Sequence, residues 1–468
     1  MADGSAPARR PGGHDLTSGP ILRTLIVFAL PTLGSNILQS LNVSINAVWI
    51  GRALGEKALA ASSNANLVTF LAFAAVFGFG LAATILVGQA MGRRDVDAAR
   101  RALGTAFGTF AIVSALVAAI GWFAAAPLLR LLATPPEAVP LALAYLRVIF
   151  LGVPASFLLV VLSMGLRGTG DSLTPFLVMV LTVVLDAGLN PVLILGLGPA
   201  PRLGIAGSAL ATLFANSVAL LVTIVILYAR DLPIRLRGAE LRYLRPDPAL
   251  LRIILVKGLP MGLQMFVISF AGLTLMGLVN RAGVDVTAAY GVALQLWTYV
   301  QMPALAIGAA VSAMAAQNIG AGRWDRVDAI TRGGVLANLA LTGALLALLF
   351  AVDRPVLALF LGATSPAVEI ARHINLVGSW SFLLFGVTIV IFGTVRATGA
   401  VVPPLVILFL ALFPIRLSVA FAMMPRFGTE ALWWTMPLGS LAAMLMAIGY
   451  YRFGGWRRAR MAVPAAAS

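Results

Sequence analysis

Apolar runs of about 20 residues or more recur along the whole chain, separated by short polar breaks. Long runs such as 205–229 and 401–424 do not alternate, so they do not read as barrel strands, which need alternating stretches of about ten residues. In hydrocarbon every backbone group must bond within its own segment, which leaves helices as the spanning element. The breaks predict spans near 21–50, 58–90, 98–126, 138–166, 173–197 and 204–229. After a polar stretch come spans near 250–281, 286–319, 328–351, 372–397, 401–424 and 429–452. The pattern thus predicts an all-α polytopic membrane protein with twelve transmembrane helices. Thr17 or Ser18 is placed to cap the first of them, with Pro20 in its first turn. Pro31 and Pro260 fall inside the first helix of each half and predict a kink there.

The two sets of six share a register. Leu30-Pro31 returns as Leu259-Pro260, and Gly55 with Ala60-Ala61 returns as Gly283 with Ala288-Ala289. Gln89 and Gly92 return as Gln317 and Gly320, and Arg167, Thr169, Gly170 and Pro175 return as Arg396, Thr398, Gly399 and Pro404. Four anchors at one offset imply two pseudo-symmetric six-helix bundles, the organisation in which secondary transporters rock about a central site. The predicted parts are a disordered tail at 1–16, an N-terminal bundle at 17–229, a linker at 230–249, a C-terminal bundle at 250–455 and a basic tail at 456–468.

Composition agrees with lipid as the solvent. Hydrophobic residues make up 60% of the 468 and charged ones 11%, about half the charge a soluble chain carries. The net charge of +16 would suggest nucleic acid in a soluble protein, but its distribution reports topology instead. With both termini on one side, one set of loops and the C-terminal tail carries nineteen Lys and Arg and the other set seven. The positive-inside rule then puts both termini in the cytoplasm, with the chain in a bacterial inner membrane. No cysteine is present, and the two histidines, His14 and His373, cannot make a metal cluster, so neither metal nor cofactor is expected. No phosphate loop, paired carboxylates or nucleophile triad appears, which argues against an enzyme and against direct ATP drive.

Of 17 acidic residues, only Asp186 falls near the middle of a span. A carboxyl at that depth is costly and normally faces a cavity or a partner. Asn190 lies one turn further on the same face, and Pro191 weakens the turn that follows. Ser35, Gln39, Asn42 and Asn46 recur at intervals of 4, 3 and 4 and so share one face of span 1, the pattern of a polar cavity wall. Span-to-span hydrogen bonding is the structural alternative. In the other half Gln264 and Gln295 are candidate cavity residues, with Asn280, Gln301, Trp297, Tyr299 and Trp380 nearby. Aromatic faces can hold an organic cation, or simply pack. Arg416 is the one base expected deep in the membrane, unless it snorkels to an interface.

The residues F-A-L-P-T-L at 28–33, W-I-G-R-A-L-G-E-K-A-L-A-A at 49–61, G-Q-A-M-G at 88–92, G-L-R-G-T-G-D-S-L-T-P at 165–175, L-G-I-A-G-S-A-L-A-T at 203–212 and A-Q-N-I-G-A-G at 316–322 resemble the multidrug and toxic compound extrusion family. The resemblance spans about residues 17–455 and implies cation-coupled export of organic cations or other amphiphiles from two six-helix bundles. Departures bear on mechanism. The family commonly has Asp where Asn46 stands, and its span 5 usually reads Asn, three residues, then Asp before Pro. Here the acid and the amide have exchanged places, as Asp186 and Asn190. The Glu that one branch uses for sodium is absent, with Ile268 near its position, and span 10 has no acid. Tyr145 falls where the proton-linked branch has a tyrosine near its acid.

The expected function is export of small amphiphiles by a monomeric antiporter in the lipid bilayer, with protons ahead of sodium as the coupling ion. Asp186, Asn190, Asn46 and Tyr145 are its expected coupling group, Asn190 and Asn46 orienting the carboxyl and Tyr145 adding a bond. The alternatives are a lipid-linked precursor flippase, for which several deep Arg would be expected, and a membrane-embedded enzyme.

Overall fold

The computed structural model describes residues 15–131, 134–198, 201–362 and 364–461, and among these the regular structure is entirely helical. His14 lies outside the described residues. The first half contains α1 (Ile21–Leu54), α2 (Glu56–Gly92), α3 (Val96–Leu131), α4 (Val139–Gly168), α5 (Leu173–Leu195) and α6 (Ile205–Ala229). The second contains α7 (Pro248–Val279), α8 (Val284–Val300), α9 (Met302–Gly320), α10 (Trp324–Leu361), α11 (Ala367–Gly378), α12 (Ser381–Ala397), α13 (Val402–Leu410), α14 (Ser418–Phe427) and α15 (Glu430–Phe453).

Ten of these stretches are long and apolar enough to cross a bilayer among the described residues, or eleven when the bent pair α11–α12 counts as one. The predicted twelve is not reached by that measure. α2 is not among them; its apolar piece, Val76–Gly92, is shorter than the length required. Each predicted span nevertheless corresponds to helix. The extra element boundaries come from local breaks: at Gln301 between α8 and α9, a 42° bend between α11 and α12, and a π-helical stretch, Ala411–Leu417, between α13 and α14.

Two expectations about the start of the chain need correction. Thr17 and Ser18 do not cap α1: its N-cap is Pro20, and the Thr17 hydroxyl donates to Asp15 Oδ1 instead. Leu16, expected within the disordered tail, is wholly buried, and Asn318 Nδ2 donates to its carbonyl at 3.0 Å. Helices α1 and α7 run through Pro31 and Pro260 without a break. A single missing N–H is tolerated where neighbouring helices hold the segment.

The polar stretch between the halves is a fitted piece. Leu232 and Ile234 are buried, and a 3₁₀ turn at Gly238–Leu244 lies on α3. Arg100 Nε donates to the Pro233 carbonyl at 2.8 Å, and the Tyr243 hydroxyl donates to Asp97 Oδ1 at 2.7 Å. The approach is so close that a Cβ on Gly108 would lie 1.8 Å from the Leu244 carbonyl oxygen. At the other end of the chain, Trp456 is buried and stacked on Tyr451, and Arg457 pairs with Asp328 at 2.8 Å, so the expected basic tail begins as packed structure.

The halves meet along α2, which packs on α7 and α9, and along α1, which packs on α9. Glycine makes the first crossing possible: a Cβ on Gly78 would fall 2.2 Å from the Gly262 nitrogen. At one end of the seam the repeated residues meet each other reciprocally. Gln89 Nε2 donates to the Ala397 carbonyl at 2.7 Å, and Gln317 Nε2 donates to the Gly168 carbonyl at 2.9 Å. Ala397 and Gly168 end α12 and α4, where helix carbonyls lack an intrahelical partner. Each half therefore satisfies a helix end of the other. A Cβ on Gly92 would lie 1.9 Å from the Gln317 carbonyl oxygen and one on Gly320 2.1 Å from that of Gln89, which explains why the pair repeats as glutamine with glycine.

Candidate functional site

Helices α1, α5 and α6 converge on Asp186. Its carboxyl has no exposed surface, and neither does Asn190. Asn42 Nδ2 and Asn46 Nδ2, one turn apart on α1, donate to Asp186 Oδ2 at 2.8 and 2.9 Å. Asn190 Nδ2 reaches Asp186 Oδ1 at 3.1 Å, its carbonyl at 2.8 Å and Asn46 Oδ1 at 2.9 Å. From α6, Thr212 Oγ1 reaches Asp186 Oδ1 at 3.1 Å. Every partner is neutral. No Lys, Arg or His forms an ion pair with this acid among the described residues.

The carboxylate is thus solvated by amides and a hydroxyl in place of water. Hydrogen bonds to a charged group contribute about 1.5–3 kcal/mol each, and several are needed because an unpaired buried charge costs several kcal/mol. Two oxygens on its amide partners have no donor, Asn42 Oδ1 and Asn190 Oδ1, and one turn before Thr212 the Ser208 Oγ is also unpaired. Pro191, which cannot donate to the Ala187 carbonyl, adds backbone freedom at the same level. Among the described residues no group of three or more His, Cys, Asp and Glu could hold a metal. With a single acid, the site suits a proton or one monovalent cation.

The structure brings Asp186, Asn190, Asn46 and Asn42 into one hydrogen-bonded group. Tyr145 is buried within electrostatic reach of Asp186, without a hydrogen bond to the carboxyl. Ser35 donates back to the Pro31 carbonyl at 3.0 Å, and Gln39 is exposed. In the other half Gln264 is buried, donating to the Val401 carbonyl at 3.5 Å and accepting from Arg396, while Gln295 is exposed. Trp297 is packing: it is buried against Tyr290 and Phe382, with its Nε1 donating to Ser379 Oγ at 3.0 Å.

Thr212 and Ser208 were missed. Their signal was present as Ser208, Thr212 and Asn216 spaced by four on one face of α6, where Asn216 Nδ2 also donates to Ser156 Oγ at 3.0 Å.

A family model described as MatE matches the chain twice, over residues 31–192 and 260–422. The second match begins 229 positions after the first, the offset of the repeat. The chain is 36% identical over 435 residues to the probable multidrug resistance protein YoeA of Bacillus subtilis, covering 92% of this chain and 94% of that one. It is 30% identical over 313 residues to an FAD transporter of Shewanella oneidensis, covering 67% and 68% of the two chains. Among solved structures, the outward-facing conformation of a multidrug resistance MATE family transporter superposes with a TM-score of 0.86 at 22% identity, covering 94% and 97%. Two helical repeats, an amide-held acid inside the first and a family match to each half converge on one conclusion: the chain is a multi-pass membrane protein of the MatE family, the multidrug and toxic compound extrusion transporters.

Proposed function

We propose that this transporter is a cation-coupled antiporter, with protons ahead of sodium, that exports organic cations and other amphiphiles by alternating access. Asp186 is the coupling carboxyl. The observation that carries the reading is a wholly buried acid whose partners are all neutral. A carboxyl paired with arginine would be locked in its charged form; this one is free to take up a proton.

Protonation changes what the site needs. The charged form accepts from four groups, whereas the neutral form must donate once. An amide turned end for end supplies the acceptor, and Asn42 and Asn190 each hold an oxygen that has no donor. The neutral form attracts a cation less, so proton and cationic substrate compete, and binding of one promotes release of the other. Sodium is the second reading, favoured by the same unpaired oxygens, which would suit a small cation beside the carboxylate. Relatives named for multidrug resistance support drugs as the cargo. The distribution of basic residues supports an inner-membrane chain with both termini cytoplasmic. The two bundles, joined near residues 230–249, would act within one monomer.

Ethidium efflux from cells with and without the protein, at several external pH values and with sodium present or replaced by potassium, tests both readings. Asp186→Asn is expected to lose at least tenfold of pH-driven efflux while inserting at the parent level, since the amide is nearly isosteric. Efflux at the parent rate with unchanged pH dependence would make the carboxyl purely structural. Dependence on sodium at fixed pH would select the second reading.

A further inference from the structure

The C-terminal half holds the opposite charge. Arg416 lies in the π-helical stretch Ala411–Leu417, within the continuous span Val402–Phe427. At 1.5 Å per residue it is roughly 15–20 Å from either end. Its stem runs along α15 where Gly439 leaves room: a Cβ there would lie 3.2 Å from Arg416 Cβ and 3.3 Å from its Cδ. Single π-turns are rare and concentrate at functional sites, because they widen the helix and re-aim side chains.

The guanidinium has no partner. Nε is buried without an acceptor, and Arg416 forms no hydrogen bond, ion pair or ring contact among the described residues. Two other inner bases, Arg147 and Arg167, also hold a buried Nε without an acceptor, but Arg147 rests over the Trp122 ring at 5.4 Å and Arg167 lies in the last turn of α4; Arg396 donates to the Phe392 carbonyl at 3.1 Å. Arg416 is the one of these that lies far from the ends of its span. Acids of this half sit towards the ends of their helices, where Asp353 pairs with Arg372 and Glu430 with His373. The neighbouring surface is neutral and rigid. Tyr290, within electrostatic reach of the guanidinium, is stacked on Trp433 at 5.7 Å and set edge-on to Trp297 at 6.1 Å.

A charge at membrane depth normally has a partner, and one left without costs several kcal/mol. The fold supplies none here, so the partner arrives with a ligand. We propose that Arg416 anchors the anionic group of a substrate, a carboxylate or a phosphate, whose two oxygens match the fork of the guanidinium. The substrate class then includes zwitterionic and anionic amphiphiles. This deepens the exporter reading by naming a substrate class, and a binding measurement tests it without relying on coupling through Asp186.

The test uses the purified full chain in uncharged detergent, with carboxyfluorescein as the anionic probe and rhodamine 6G as the cationic one, each followed by fluorescence anisotropy. Arg416→Gln is expected to weaken carboxyfluorescein at least tenfold and to leave rhodamine 6G within twofold; Arg416→Lys, a point charge without the fork, falls between. Melting temperature shows whether each variant is folded. The proposal is overturned if carboxyfluorescein binds the Gln variant as it binds the parent. It is equally overturned if both dyes weaken together in a protein that melts normally. Lipid phosphate is the other source of the same chemistry. If phosphatidylglycerol displaces the dye and neutral-lipid proteoliposomes export none of it, the anion belongs to the bilayer and the substrate assignment fails.

Discussion

Gln89→Ala should loosen the end of the seam where the two halves cap each other. The substitution deletes a 2.7 Å bond from a buried amide and leaves the Ala397 carbonyl without its donor. Leaving a buried carbonyl unsatisfied costs about 1–3 kcal/mol. At about 1.4 kcal/mol per factor of ten, the balance between closed and open seam shifts by roughly 5- to 150-fold. Gln317→Ala should act alike through Gly168, and the steric counterpart Gly320→Ala should push the same way. Its Cβ would start 2.1 Å from the Gln89 carbonyl oxygen, where ordinary contact begins near 3.4 Å, so the backbones must part by more than an ångström. The chain has no cysteine, so Ala316→Cys, which faces Gly88 across the seam, gives a single reporter. Its rate of labelling by a membrane-impermeant maleimide, measured in right-side-out and inverted vesicles, reads the opening directly. A rate at least fivefold above the reporter alone is expected for each glutamine variant, from one vesicle orientation only. A rate within twofold of the reporter alone would mean that the reciprocal caps do not hold the seam, and that apolar contact along α2 does.

Two further outcomes are expected. Combining Asp186→Asn with Asn190→Asp moves the acid one turn along α5, about 5–6 Å, and should recover part of the pH-driven ethidium efflux lost in Asp186→Asn; no recovery would mean that the acid must sit where Asn42 and Asn46 both reach it. Reporters fused after Arg242 and after Arg460 should both read cytoplasmic and one inserted near Pro201 periplasmic, and a periplasmic signal at Arg460 would require an odd number of crossings.

Much of this was legible because the chain is so apolar. With nearly all acids at helix ends, one carboxyl in the middle of a span stands out, and the spacing of Asn42 and Asn46 aims both at one face. Thr212 escaped notice for the same reason in reverse. In a helix rich in Ala, Ser and Thr, a hydroxyl usually bonds back to its own turn, as Thr223 does to Ala219, and sequence does not separate the two uses. The stripe on α1 was legible only in part. Its spacing fixes a face but not which neighbours lie along it: Asn42 and Asn46 meet Asp186, while Ser35 bonds back to its own helix. Gln264 looked like a cavity residue, whereas the structure packs it between Val401 and Arg396. The reciprocal caps were visible as repeated residues without a role, because capping another half's helix end is a long-range event that no local pattern encodes. The π-helical stretch left no clear mark beyond Pro414.

The segment that joins the halves changes how the protein can be cut. Because residues 232–244 are seated on α3, severing the chain at the end of α6 would strand a piece whose buried side chains belong to the first half. A break after Asp247 would instead leave the first product with its own surface covered, and would start the second just ahead of α7, at the cost of the cap that Asp247 Oδ1 gives the Ala249 N–H at 2.8 Å. Two separately made polypeptides divided there should reassemble better than two divided at residue 230. The covalent join is then a convenience of synthesis, and the seam itself carries the information that tells one half where the other belongs.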